Sequence, residues 1–321
     1  MTRLGYTLMT EQTGPADLVR DAAAAERAGF DFEVMSDHFF PWLDSQGHAP
    51  NAWVTLGAVA QATERVELMT YVTCPTMRYH PAVVAQQAAT LGLLSGGRFT
   101  LGLGAGENLN EHVIGRGWPP ANIRHEMLEE AVEIIRALFR GSYVNYAGNH
   151  YRIDSAKLWD VGDPPPRIGI AVSGAHSCEL AGELADAMIA VEPNPSLGEQ
   201  FDAAGGVGKP RIGQLPICYD PDRDAAIERA HDQFRWFGGG WHVNAELPGT
   251  AAFAGATQFV TKDNVADSIP CGPDLDGHID AVRDFIDAGF TDVAVVQIGG
   301  EHQEPFLGWA EKELVPALRE L

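Results

Sequence analysis

Short apolar runs alternate with longer amphipathic stretches along the chain, a pattern that predicts strands and helices in succession. Leu4–Thr7, Asp31–Ser36, Val66–Val72 and Arg98–Leu103 read as the first four strands. Between them the helical period runs over Pro15–Gly29, Trp53–Thr63 and Pro81–Leu94. Pro81 suits a first helical turn, where a missing N–H costs little. His125–Arg140 is a further helix, with Leu128, Val132, Ile135 and Leu138 on one face. Arg167–Val172, Asp186–Val191, Arg211–Ile217 and Asp292–Gln297 are predicted as strands five to eight. Helices are predicted over 175–184, from about Asp222, over His278–Gly289 and over Pro305–Leu321. Eight strands alternating with helices favour a closed α/β architecture, the (β/α)8 TIM barrel, over an open doubly wound sheet. Residues 1–321 are expected to form one barrel domain with insertions at about 104–124, 141–166 and 237–275. The second insertion reads as hairpin-like, and the third as a long one rich in Gly and Pro. Such insertions suit the C-terminal face of a barrel, where function resides.

Composition narrows the class. A 321-residue chain that is 45% apolar can fill a large core. No run reaches the roughly 18 apolar residues of a membrane helix, and the N-terminus lacks a signal-peptide pattern, so a cytoplasmic location is expected. Cys74, Cys178, Cys218 and Cys271 are scattered without a CxxC pair and are expected to be free thiols. The net charge of −22 argues against nucleic acid or an anionic membrane as partner, because both need a basic footprint.

Four segments can carry chemistry. Ser36-Asp37-His38-Phe39-Phe40-Pro41-Trp42 begins where the second strand ends. A merely polar loop would explain it, but its position and the neighbouring aromatics Phe39, Phe40, Trp42 and Trp53 favour a site with His38 as general base. Gly102-x-Gly104-x-Gly106-Glu107, followed by Asn110, is only a weak dinucleotide fingerprint, since it runs into Glu107 instead of opening a helix. The alternatives are a structural turn, or a backbone that approaches a flat ring while Glu107 and Asn110 face the cavity. A carboxyl group among so many apolar neighbours would titrate high and act as an acid. Tyr71 to Pro81 is a shaped loop in which Arg78 is a candidate anion contact. Ser173-Gly174-Ala175-His176 is a small turn entering a helix, a candidate phosphate site or ordinary turn chemistry. No metal site is read: His125-Glu126 opens HEMLE, without the second His of a metalloprotease.

Taken together, Ser36-Asp37-His38-Phe39-x-Pro41-Trp42, Gly47-His48-Ala49-Pro50, Pro75-Thr76-x-Arg78-Tyr79-x-Pro81-Ala82 and Gly104-x-Gly106-Glu107-x-Leu109-Asn110-Glu111 resemble the F420-dependent, luciferase-like oxidoreductases. The likeness is greatest to their glucose-6-phosphate dehydrogenases and densest over residues 1–185. It implies a bacterial-luciferase-type barrel binding coenzyme F420, an 8-hydroxy-5-deazaflavin with an anionic tail. It places Asp37, Tyr71, Val72, Cys74, Glu107, Asn110 and the turn Ser173, Gly174, Ala175, His176 around the cofactor. It further implies a cis peptide near Tyr71-Val72 and a homodimer.

The roles implied are His38 as base for the alcohol proton, Glu107 as proton donor to the cofactor ring, and Trp42 in the substrate pocket. One departure bears on substrate: Asn194-Pro195, Asp267 and Glu304-Pro305 stand where the sugar-phosphate enzymes carry cations. Only Lys262 or Arg283 is nearby to replace them. A neutral alcohol, sugar or related carbonyl is therefore expected over a sugar 6-phosphate. The alternatives are an F420H2-dependent reductase of an alkene, imine or ketone, a sugar-6-phosphate dehydrogenase, an FMN-dependent monooxygenase, and a cofactor-binding barrel without turnover.

Overall fold

The computed structural model describes residues 2–321. Ten strands occur in chain order: β1 (Arg3–Leu8), β2 (Phe32–Met35), β3 (Glu67–Thr70), β4 (Phe99–Leu103), β5 (Val144–Ala147), β6 (Arg152–Ala156), β7 (Arg167–Ala171), β8 (Ala187–Ala190), β9 (Arg211–Ile217) and β10 (Asp292–Gln297). Eight of them close a barrel in the order β1-β10-β9-β8-β7-β4-β3-β2, and the pair β5-β6 stands apart as a hairpin. Closure joins the two ends of the chain, with Arg3 to Tyr6 in parallel register against Asp292 to Val295. The predicted strands and the hairpin are all present, with ends moved by one or two residues.

Strand alternation divides the core in two. Phe32, Val34, Met69, Tyr71, Ile189, Ile212 and Ala294 fill the barrel interior. A larger layer including Leu4, Leu68, Leu101, Ile135, Ile168 and Val295 packs the strands against the helices. Each fully buried aliphatic side chain of this kind contributes about 1.5–3 kcal/mol. The four predicted residues of the long helix, which spans Ala121–Phe139, are all buried in this layer. Gly102 is required in β4, because a Cβ there would run into the Thr70 carbonyl oxygen. The close approach lets Thr73 N–H donate to the Gly102 carbonyl at 2.9 Å, tying the loop after β3 to β4.

The insertion 237–275 contains helices Trp241–Asn244, Gly249–Ala256 and Lys262–Ser268. Thr261 caps the last of these by accepting from Asn264 N–H, and the fully buried Phe253 anchors the middle one. The local Gly content masked an Ala-rich turn held by one aromatic contact. The closing helix runs Gln303–Trp309, a wide turn Ala310–Leu314 and then Val315–Leu318, helical throughout. Pro316 accounts for the wide turn, because it lacks the N–H that an uninterrupted ladder would use. Among the described residues, no helix is long and apolar enough to cross a membrane.

Glu33 offers a test of the layer between barrel and helices. It is fully buried, and neither carboxylate oxygen has a partner. Burial pushes its pKa well above the ordinary 4.5, with Glu26 adding to the rise and Arg98 opposing it. A carboxyl raised in the folded state stabilises least at high pH, because folding then holds a proton the unfolded chain would release. Glu33→Gln is therefore expected to gain on the wild type by up to about 1.4 kcal/mol per pH unit above pH ~4.5. Urea melts at pH 5 and pH 8 would show the gap widening; a constant gap would refute the reading.

Candidate active site

The parallel order places the loops after β2, β3, β4 and β7 side by side on one arc of the C-terminal rim. Those loops carry Asp37, His38 and Trp42, then Tyr71 to Cys74, then Glu107 and Asn110, then Ser173 to His176. Position along four adjacent strands thus gathers these residues onto one side of the barrel mouth.

His38 is the centre of the most highly connected group. Its Nε2 lies 2.9 Å from Glu107 Oε1, and its Nδ1 lies 3.0 Å from the Phe40 carbonyl and 3.4 Å from Glu11 Oε1. A carbonyl only accepts, so Nδ1 carries hydrogen and Nε2 is the nitrogen free to exchange a proton. Burial alone would lower the His38 pKa, but Glu11 and Glu107 outweigh it and raise it from 6.5 to about 9. The group is an imidazolium at neutral pH, held between two carboxylates.

Those carboxylates are themselves oriented. Asn110 Nδ2 donates to Glu107 Oε1 at 2.6 Å, while Asn110 Oδ1 receives the N–H groups of Phe39 and Phe40 at 2.7 and 3.2 Å. Both ends of the Asn110 amide are thereby spent on positioning Glu107 and the His38 loop. Glu107 Oε2 is buried without a partner. Glu11 receives Trp42 Nε1 at 3.1 Å, Thr10 Oγ1 at 3.0 Å and the hydroxyl of Ser36.

Glu11 is absent from the sequence-based candidates. It lies three positions past β1, so the rule that selects Asp37 after β2 would have selected it too. Asp37 plays a different part, because its carboxylate receives Thr73 Oγ1 at 2.7 Å and Arg78 Nη2 and Tyr79 OH at 3.3 Å each. Arg78 is not an open anion contact, as the sequence suggested. Its guanidinium is also bound to Glu111, whose backbone contact is Arg78 N–H at 2.6 Å. Burial raises the Glu111 pKa to about 7 against the pull of Arg78. The Asp37–Arg78–Glu111 chain pins the loops after β2, β3 and β4 together.

The peptide between Tyr71 and Val72 is cis, where the resemblance placed it. Tyr71 turns its ring into the barrel, with OH donating to the Ala190 carbonyl at 2.8 Å. A Cβ on Gly104 would lie 2.6 Å from Val72 Cγ2, and one on Gly106, at φ +84°, would strike Cys74 Sγ. The glycines therefore let the end of β4 lie directly against the loop after β3. The Ser173–His176 turn is exposed, and Ser177 Oγ already receives the N–H groups of Ser173 and Gly174 at 3.0 and 3.2 Å. Only the helix's own first-turn amides remain for an anion. His176 lies beside His125, with ring centroids 5.0 Å apart and the rings tilted by 58°.

An aromatic group covers the opposite side of His38. Its ring is 4.9 Å from Trp42, which stacks on Trp236 at 4.0 Å and meets Phe253 edge-on at 5.0 Å. Trp236 and Phe253 come from the segment after β9 and carry no local sequence signal. Trp53 is not part of this wall; it packs on Phe99 in the layer behind the strands, and Phe39 is mostly exposed.

The model of the family described as luciferase-like monooxygenase matches residues 1–292. The chain belongs to this family. Among its relatives, F420-dependent glucose-6-phosphate dehydrogenases from Nakamurella multipartita and Beutenbergia cavernae are 36% and 35% identical to this family member. Each alignment covers 99% of the chain and 97% or 98% of the relative. A solved F420-dependent secondary alcohol dehydrogenase, holding an F420–acetone adduct, superposes with a TM-score of 0.89 at 29% identity, over 99% of both chains.

Proposed function

We propose that this luciferase-family barrel is an F420-dependent oxidoreductase that moves a hydride between the carbinol carbon of a neutral alcohol and the cofactor. The observation that carries this reading is Glu107, bonded to His38 through one oxygen and left with a buried, partnerless second oxygen. A ring nitrogen of a deazaflavin, exchanging a proton with it, would satisfy that oxygen, so the residues present fit the cofactor. Tyr71-Val72 and Cys74 would lie behind the ring, with Asp37 and Asn110 holding the loops it rests on. The Ser173, Gly174, Ala175, His176 turn would meet its phosphate. Bound there, the deazaflavin supplies a carbon, C5, that accepts a hydride.

In alcohol oxidation the carbinol C–H leaves as hydride and the hydroxyl proton goes to the protein. His38 Nε2 takes that proton, and Glu107 holds one facing the ring nitrogen. The 2.9 Å contact between them makes a direct relay, along which the proton taken by His38 passes to Glu107. Accepting a substrate proton at Nε2 requires the Glu107 contact to yield, and Glu11 keeps the imidazole oriented meanwhile. The high His38 pKa also suits the reverse direction, in which the imidazolium protonates a carbonyl oxygen. Carbonyl reduction is thus favoured at low pH and alcohol oxidation at high pH.

The substrate class follows from what faces Trp42. Trp236 and Phe253 make the wall apolar. The cations that might have held a phosphate are committed: Arg78 to Asp37 and Glu111, Arg229 to Asp220, Lys262 to Glu228 and Arg283 to Asp280. A phosphate desolvated without such partners binds poorly. Small secondary alcohols are expected to bleach F420 at least tenfold faster, in kcat/KM, than glucose 6-phosphate does. Equal or faster turnover of the sugar phosphate would overturn the substrate assignment. A cytoplasmic homodimer belongs to the same reading, and sedimentation equilibrium tests the assembly.

A further inference from the structure

Cys218 follows the last residue of β9, and Cys271 lies where the long insertion returns to the barrel. The two face each other as an isolated parallel β-bridge. Cys218 N–H donates to the Pro270 carbonyl and Gly272 N–H donates to the Cys218 carbonyl, both at 2.9 Å. Neighbouring strands lie about 4.7–4.9 Å apart, within the roughly 4.4–6.8 Å between Cα atoms that a disulfide spans. Residues paired in this way send their side chains to the same face, close enough for each thiol to shift the other's titration.

Their surroundings are unequal. Cys218 is fully buried and its Sγ donates to the Ala226 carbonyl at 3.2 Å. The neighbouring Cys271 thiol and burial hold the proton on Cys218. Cys271 is partly exposed, and its pKa is lowered by the neighbouring Cys218 thiol and, against burial, by Arg223 and Arg229. One thiol is thus accessible and inclined to ionise, and the other sits directly behind it.

We propose that Cys218 and Cys271 form a reversible dithiol–disulfide site that exchanges with low-molecular-weight disulfides. The Cys271 thiolate attacks one sulfur of the incoming disulfide, forming a mixed disulfide and releasing one thiolate. Cys218 gives up its proton and attacks the Cys271 sulfur, releasing the second thiolate. Two protein thiols lose two electrons and two protons, and the small disulfide is reduced to two thiols. The new bond closes the segment 219–270, which contains Trp236 and Phe253, and so reaches the aromatic wall over His38. This site stands independently of the F420 reading.

The test exposes the full-length protein to oxidised glutathione, blocks remaining thiols and maps peptides without reduction. Two of the four thiols are expected to disappear, with a Cys218–Cys271 cross-linked peptide that excess reduced glutathione reverses. Amide exchange over 236–271 is expected to slow in the oxidised form. Cys218→Ser is expected to stop at glutathione attached to Cys271, and Cys271→Ser to leave Cys218 unreacted. The proposal is overturned if the wild type keeps four free thiols, if glutathione stays on Cys271 without a cross-link, or if Cys74 or Cys178 forms the link. The wild-type map decides the matter even where a variant fails to fold.

Discussion

His38→Ala is expected to slow alcohol oxidation by about 10²–10⁴, the loss typical of a removed general base. F420 affinity, read from its fluorescence, should move far less, because the His38 contacts run to Glu107, Glu11 and Phe40. The substitution also takes away the cation between two buried carboxylates, so part of the loss is repulsion between Glu11 and Glu107. Added imidazole separates the two effects. It fits the vacated space, replaces both the base and the positive charge, and should restore a measurable share of the rate. A variant that keeps full turnover with F420 bound would remove His38 from the chemistry.

The second large effect concerns pH. Because the His38 pKa is raised to about 9, only about 1% of the group is neutral at pH 7. In the oxidative direction kcat/KM should climb close to tenfold per pH unit and level off near pH 9. Glu107→Gln takes away one of the two charges responsible. The acid limb should then move at least one unit toward 6.5, the ordinary histidine value. The same variant should lose about 10²-fold in rate at the plateau, since an amide has no proton to deliver. A rate loss without movement of the limb would mean that Glu107 does not set the state of His38.

Local pattern made the fold legible, while much of the site lay beyond it. Strand runs such as Arg211–Ile217 and Asp292–Gln297 match their observed bounds because a short, almost continuously buried run between flanking turns is a local property. Asp37, His38 and Glu107 stand out because a barrel strand ends just before them. The Arg78 pairing does not, since its partners Asp37 and Glu111 are 41 and 33 residues distant. Trp236 is invisible for the same reason: a stack on Trp42 is made by tertiary packing of an insertion, and periodicity says nothing about it. Glu11 was within reach of the strand-end rule, but β1 runs on to Leu8, one residue beyond the predicted strand, and the short loop after it has no aromatic residue.

Hydride transfer itself is tested most directly with a secondary alcohol deuterated at the carbinol carbon, incubated with the wild-type protein and F420. Mass spectrometry of the reduced cofactor should find the deuterium at C5, with glucose 6-phosphate leaving F420 largely oxidised under the same conditions. Reduced cofactor without the label, or a protein that binds FMN and ignores F420, would contradict it.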